Sequence, residues 1–154
     1  MKTVAITGVL GYSGRYVAAE AARRGWRVVG LTNSAGRLPN PEGYELRPMP
    51  WSTGEDVLAG VDVLVNNAPP AFRGIDCCSY EEFQQALAVG VTAPFYLSKL
   101  LAPHMQAGSS IINISSSRDR MSQPQTESYT AAKGGITALT HALAISLSGK
   151  VRVN

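Results

Sequence analysis

Two hydrophobic periods divide this chain. Short apolar runs rich in β-branched residues occupy positions 2–7, 26–32, 61–66 and 110–115. Runs of that length, bounded by glycine or polar clusters, predict strands buried on both faces. Between them apolar residues recur at helical spacing. Residues 15–24 place Val17, Ala18, Ala21 and Ala22 on one face and end at Gly25, which suits a helix C′ position. Residues 81–105 predict a long helix with a core stripe of Phe83, Leu87, Val91, Phe95 and Leu101. Residues 128–148 predict another, burying Ile136, Leu139, Leu143 and Leu147. A short helix is expected over 52–60, with Ser52 as N-cap, Glu55 three residues on and Gly60 at its end. Residues 44–47 predict a short edge strand, because Pro48 and Pro50 restrict it, and 151–154 begin a further strand. Strands alternating with helices imply an α/β fold, a doubly wound Rossmann-like parallel sheet of about six strands, in one domain over 1–154.

Breaks in these patterns add detail. Pro39, Pro41 and two glycines make 33–43 a loop rather than a crossover helix. Pro94 lies inside the long predicted helix and deprives the carbonyl of Gly90 of its donor, so a kink with a free carbonyl is expected there. Gly134 and Gly135 each cost about 1 kcal/mol in a helix interior, which points to close packing, a partner helix included.

The opening strand, glycine turn, helix and second strand form a βαβ unit. Its turn reads Gly8-x-x-Gly11-x-x-Gly14. Glycines let a backbone approach a pyrophosphate at a helix N-terminus, although a tight strand–helix turn needs them in any case. The second strand ends Leu31-Thr-Asn-Ser-Ala-Gly-Arg37 without an acidic residue for a ribose 2′-hydroxyl. Arg15 and Arg37 could instead meet a 2′-phosphate, so NADP is favoured over NAD. Asn66-Asn67-Ala68-Pro69 at a strand's carboxyl end suits a ligand crevice, or an ordinary turn. Later, Ile114-Ser-Ser116 ends a strand, and Tyr129-x-x-x-Lys133 sets a phenol and an ammonium one turn apart on a helix face. That arrangement fits proton transfer; alone, it reads more readily as a helix-start aromatic and a solvated lysine.

Composition narrows the class. The chain has 154 residues, 45% of them hydrophobic and 16% charged, with a net charge of +3. This is an ordinary globular composition, and no Lys/Arg run marks a nucleic-acid surface. Adjacent Cys77 and Cys78 read as free thiols, neither a disulfide nor a metal site. No apolar run is long enough to span a bilayer and no leader is evident, so a cytoplasmic location is expected.

Together these motifs resemble the short-chain dehydrogenase/reductase family: Thr7-Gly8-x-x-Gly11-x-x-Gly14, Asn66-Asn67-Ala68, Ser115-Ser116, Tyr129-x-x-x-Lys133 and the closing Val151-Arg-Val-Asn154. Residues up to about 60 resemble extended or atypical members, and those from 61 onward resemble classical ones. The resemblance implies hydride transfer between a nicotinamide and a small alcohol or carbonyl compound. It assigns catalysis to Ser116, thirteen positions before the tyrosine, with Tyr129 and Lys133. The implied cofactor set is Gly8, Gly11, Tyr12, Ser13, Gly14, Arg15, Asn33, Arg37, Asn66, Ala68, Tyr129 and Lys133. It also implies a homodimer or homotetramer paired through helices 81–105 and 128–148. Three positions depart from the family: Gly90 stands for its fourth catalytic residue, an asparagine; Pro69 stands for a glycine; Pro50 stands for the acidic residue that contacts adenine. The family's substrate-lid helices and final strand find no counterpart in this sequence. A dinucleotide-binding module with little turnover, and a helix-paired assembly with a vestigial site, are therefore the alternative readings.

Overall fold

The computed structural model describes residues 1–37, 39–53 and 55–154. Its strands are β1 (Thr3–Thr7), β2 (Arg27–Leu31), β3 (Glu45–Arg47), β4 (Val63–Asn66), β5 (Ser109–Asn113) and β6 (Val151–Val153). Among the described residues they form one parallel sheet in the order β3-β2-β1-β4-β5-β6. The expected doubly wound sheet is thus present. Its order reverses between β1 and β4, and there the carboxyl ends of adjacent strands leave a crevice.

Alternation along β1 explains why both faces are covered. Val4 and Ile6 join Val28, Val63 and Val65 under Ala18 and Ala21 of helix α1 (Tyr12–Arg23). Ala5 points the other way, into a cluster with Val29, Leu31, Leu64, Leu97, Leu101, Ile111 and Val153. Helices α3 (Tyr80–Leu87), α4 (Ala93–Leu101) and α5 (Glu127–Ser146) belong to that second layer.

Several elements differ from the sequence pattern. Helix α1 begins at Tyr12, directly after Gly11, not at Arg15, so Gly14 lies in its first turn. The 52–60 helix is instead a short α2 (Pro50–Thr53) followed by a 3₁₀ turn (Glu55–Leu58), so Ser52 lies inside a helical turn and is no N-cap. Pro50, whose missing N–H is harmless at a helix start, opens it. The long helix starts at Tyr80 behind a capping box, in which Ser79 Oγ accepts from Glu82 N and Glu82 accepts from Ser79 N.

It does not run through unchanged to 105. Residues Ala88–Thr92 form a π-helical turn, in which the Ala93 N–H reaches back to the Ala88 carbonyl. Pro94 cannot donate, and the chain absorbs the defect by widening one turn rather than by a simple kink. The widening rotates the stripe. Ala86, Gly90, Pro94, Leu97 and Leu101 are buried, while Phe83, Leu87 and Val91 are half-buried and Phe95 is 44% exposed. In α5, Ile136 is buried but Leu139, Leu143 and Leu147 are only partly covered. The glycine pair divides as well: a Cβ on Gly135 would meet the Val91 side chain at 2.8 Å, while one on Gly134 would enter open space.

Candidate active site

The β1 turn is shaped by contacts that only glycine allows. Gly8 has φ +66°, and a Cβ on Gly14 would lie 2.1 Å from the Gly8 carbonyl oxygen. Asn67, outside the predicted set, clamps the turn from β4. Its Nδ2 donates to the carbonyls of Thr7 and Gly8 (3.1 and 3.3 Å), and its Oδ1 accepts from Ser13 Oγ (2.9 Å). Thr7 Oγ1 accepts in turn from the backbone N–H groups of Asn67 and Ala68 (2.9 and 3.1 Å). The doubled asparagine was the available signal: adjacent strand-end residues face opposite ways, so one is free to serve the turn. Ser13 is therefore occupied within the fold. Tyr12 is largely exposed and packs edge-on against Tyr16.

The first turn of α1 has no side-chain cap and no acidic residue, so its free N–H groups and dipole suit an anion. Arg37 joins Gly8, Gly11, Thr32 and Ser34 around a cavity of about 260 Å³ beside that turn. Arg15 is exposed on α1 and does not line it. Asn33 accepts from the Met49 N–H at 2.8 Å and so ties the β2 end to the chain after β3.

Asn66 faces the opposite layer. Its Nδ2 donates to Asn113 Oδ1 (2.7 Å), Asn113 Nδ2 donates to Thr140 Oγ1 (2.8 Å), and Thr140 donates to the Ile136 carbonyl (2.7 Å). This chain of bonds docks β4 and β5 on α5. Asn66 Oδ1 is buried without a partner among the described residues, and Asn66 borders an apolar cavity of about 510 Å³ walled by Met49, Trp51, Ala68, Thr92 and Tyr96.

On the far side of β4, the residues after β5 meet α5. Lys133 is 5% exposed, and its Nζ donates to the Ile114 carbonyl. Burial pulls its pKa below the ordinary lysine range. The same Nζ lies 5.5 Å from the centre of the Tyr129 ring. Ser115 and Ser116 have separate duties. Ser115 Oγ sits 2.7 Å from Thr137 Oγ1 and 3.1 Å from the Lys133 carbonyl, which commits its one proton inward. Ser116 accepts from the Arg118 N–H at 3.2 Å as cap of the Ser117–Asp119 turn. That bond uses a lone pair and leaves the Ser116 hydroxyl hydrogen for another acceptor.

The Gly90 position is closed. A Cβ there would stand 2.7 Å from Ala132 Cβ and 3.3 Å from Pro70 Cγ. No side chain of any kind fits without movement of α5 or of the segment after β4.

A family model described as enoyl-(acyl carrier protein) reductase matches residues 52–154, two thirds of the chain. The chain belongs to the short-chain dehydrogenase/reductase family. Similar proteins include an uncharacterised oxidoreductase of Thermotoga maritima, 45% identical over 60% of this chain and 38% of that one. A probable galactose dehydrogenase of Rhizobium meliloti is 38% identical over 63% and 40% respectively. The matched segments thus span about two fifths of those curated relatives. Among solved structures, a short-chain oxidoreductase of Clostridium thermocellum is 33% identical, with a TM-score of 0.82 over 99% of this chain and 70% of that one. The amino-terminal 51 residues lie outside the family model yet inside this structural match, which separates a divergent sequence from a shared fold.

The family implies a nicotinamide dinucleotide, and the residues present fit one. Gly14 allows the turn to close on itself, the uncapped α1 end offers N–H donors to an anion, and Asn66, whose Oδ1 has no partner among the described residues, borders the neighbouring cavity. Arg37, Gly8, Gly11, Asn66 and Ala68 border those two cavities.

Proposed function

We propose that this chain carries the dinucleotide-binding and proton-transfer apparatus of an NADP-preferring oxidoreductase acting on a small alcohol or carbonyl compound. One observation carries the reading: a buried lysine, fixed on the Ile114 carbonyl, faces the Tyr129 ring, in a chain whose glycine turn leads into an uncapped helix end. A bound nicotinamide would supply or take up the hydride. The substrate oxygen must then gain or lose a proton, and Tyr129 O–H is the donor for reduction. A free phenol titrates at about 10, too high for efficient base work at neutral pH. The Lys133 ammonium stabilises the phenolate left behind, and burial strengthens that attraction. Ser116 donates its free hydrogen to the substrate oxygen and orients it. Arg37, beside the turn, is the partner for a 2′-phosphate. The probable galactose dehydrogenase relative makes galactose and related aldoses the first substrates to try.

A second reading, a binding module with little turnover, is favoured by Gly90. The position cannot hold the asparagine side chain that the family resemblance assigns there. Pairing of copies through α3–α4 and α5 is supported by exposed Phe95 and Ile145 and by the open space at Gly134. Fluorescence titration with NADPH and NADH, followed by a carbonyl-reduction assay with Tyr129→Phe as control, separates the readings. Binding with Tyr129-dependent turnover is the expected result. Binding without it leaves the module, and no binding of either dinucleotide overturns both.

A further inference from the structure

Between β4 and α3 the chain crosses the start of α5 as a strap, residues 69–78, and its contacts single out Phe72. The Phe72 ring stacks on the Tyr129 ring with centroids 3.9 Å apart and planes 11° from parallel. Phe72 is nevertheless 49% exposed, so it is no core residue, and its ring lies on the face of Tyr129. Free aromatic pairs prefer offset or edge-on arrangements with wider centroid spacing. A close, near-parallel stack is therefore set by the backbones that carry the rings.

Those backbones are tied on both sides of Phe72 to the residue preceding Tyr129. Ser128, fully buried, donates from Oγ to the Ala71 carbonyl (3.0 Å) and accepts there from the Arg73 N–H (2.9 Å). Its own N–H donates to the Arg73 carbonyl (3.1 Å). Further along, Ile75 N–H donates to Glu127 Oε2 (3.0 Å), and the Gln125 side chain bonds Asp76. Gly74 presses so closely on Gln125 that a Cβ would lie 2.4 Å from its Cα.

We infer that Phe72 is a positioning residue: held by the strap, it fixes the plane of the Tyr129 ring and so the direction in which the phenol presents its proton. The inference rests on the proton-transfer role proposed above for Tyr129. A residue acting through another in this way changes turnover without changing affinity, whereas a mere pocket wall raises KM. Small misplacement of a reacting group lowers the rate steeply.

The experiment compares wild type with Phe72→Leu and Phe72→Tyr. Tyrosine-labelled protein is examined by NMR, with Tyr129→Phe identifying the signal, and steady-state reduction is measured beside it. Phe72→Leu is expected to remove the ring-current shift of the Tyr129 ring protons and to lower kcat about tenfold or more. KM for substrate and cofactor should stay unchanged, and Phe72→Tyr should restore both readouts. A Tyr129 signal that does not move in Phe72→Leu overturns the inference, with or without turnover. So does a moved signal with unchanged kcat, or a loss confined to KM. Absence of turnover in wild type overturns the proposed function instead, and the NMR comparison still decides whether Phe72 orders the ring.

Discussion

Gly90→Ala is a small change with a calculable conflict. The new Cβ would stand 2.7 Å from Ala132 Cβ, where ordinary contact begins at 3.4 Å, and 3.3 Å from Pro70 Cγ. Both neighbours are short and stiff, and Gly90 and Ala132 are buried, so neither can swing aside. Overpacking of this kind costs about 1–3 kcal/mol. Alanine in place of glycine returns about 1 kcal/mol through helix propensity. The net expectation is a loss of about 1 kcal/mol, opposite in sign to the propensity effect alone. Ala132→Gly removes the opposing methyl, so in that background Gly90→Ala becomes neutral or stabilising. The four proteins form a double-mutant cycle, read by urea unfolding followed by far-ultraviolet circular dichroism, with an expected coupling of about 1–3 kcal/mol. Additivity within about 0.5 kcal/mol would refute the close approach of the π turn to α5. Gly90→Asn meets the same Cβ conflict and is expected to destabilise rather than to raise activity.

Three further outcomes follow from named contacts. Lys133 has a folded-state pKa below its ordinary value of 10.5, so the unfolded chain binds more protons between the two. Wild-type stability should therefore climb relative to Lys133→Met as pH rises through the lowered value towards 10.5, and a difference that stays flat or falls in unfolding curves from pH 7 upward contradicts the burial argument. Glu20 is held at about 2, first by the Arg23 hydrogen bonds and then by Arg24. Its contribution is present above the unfolded carboxylate value and lost as pH falls through about 2; an NMR titration midpoint in the ordinary carboxylate range would remove it. Asn67→Ala deletes the bonds to Thr7, Gly8 and Ser13. It should cost about 1–3 kcal/mol in denaturant unfolding and weaken NADPH binding by loosening the turn, whereas unchanged unfolding and affinity would show that the clamp is dispensable.

Much of the site was legible because the signals are local. A glycine turn, a serine-ended strand and Tyr129/Lys133 one turn apart each follow from spacing along a single element, and the alternation of strands with helices predicted the parallel sheet. What failed depended on neighbours. The buried stripe of the 81–105 segment shifted because Pro94 is absorbed by a widened turn at Ala88–Thr92, and a fixed 3.6-residue period cannot register that. The glycine pair in α5 reads alike in sequence, yet among the described residues a Cβ would meet a neighbour, Val91, at Gly135 and none at Gly134.

The strap shows the same division for function. Sequence spacing offered no reason to pair Phe72 with Tyr129, which lies 57 positions away and on another element. Ser128 gave no signal of its bonds to the strap, and Asn67, which clamps the turn, stood outside an expected set that named Asn66. By itself the sequence determined which candidate residues stand on which element and the order in which strands and helices present them, because propensity and period act over one turn or one strand. The tertiary structure alone decided which of them are committed to the fold, such as Ser115 and Ser13, and which keep a free group, such as Ser116 and Asn66. Hydrogen-bond satisfaction and steric exclusion are settled by groups far apart in the chain and adjacent only after packing.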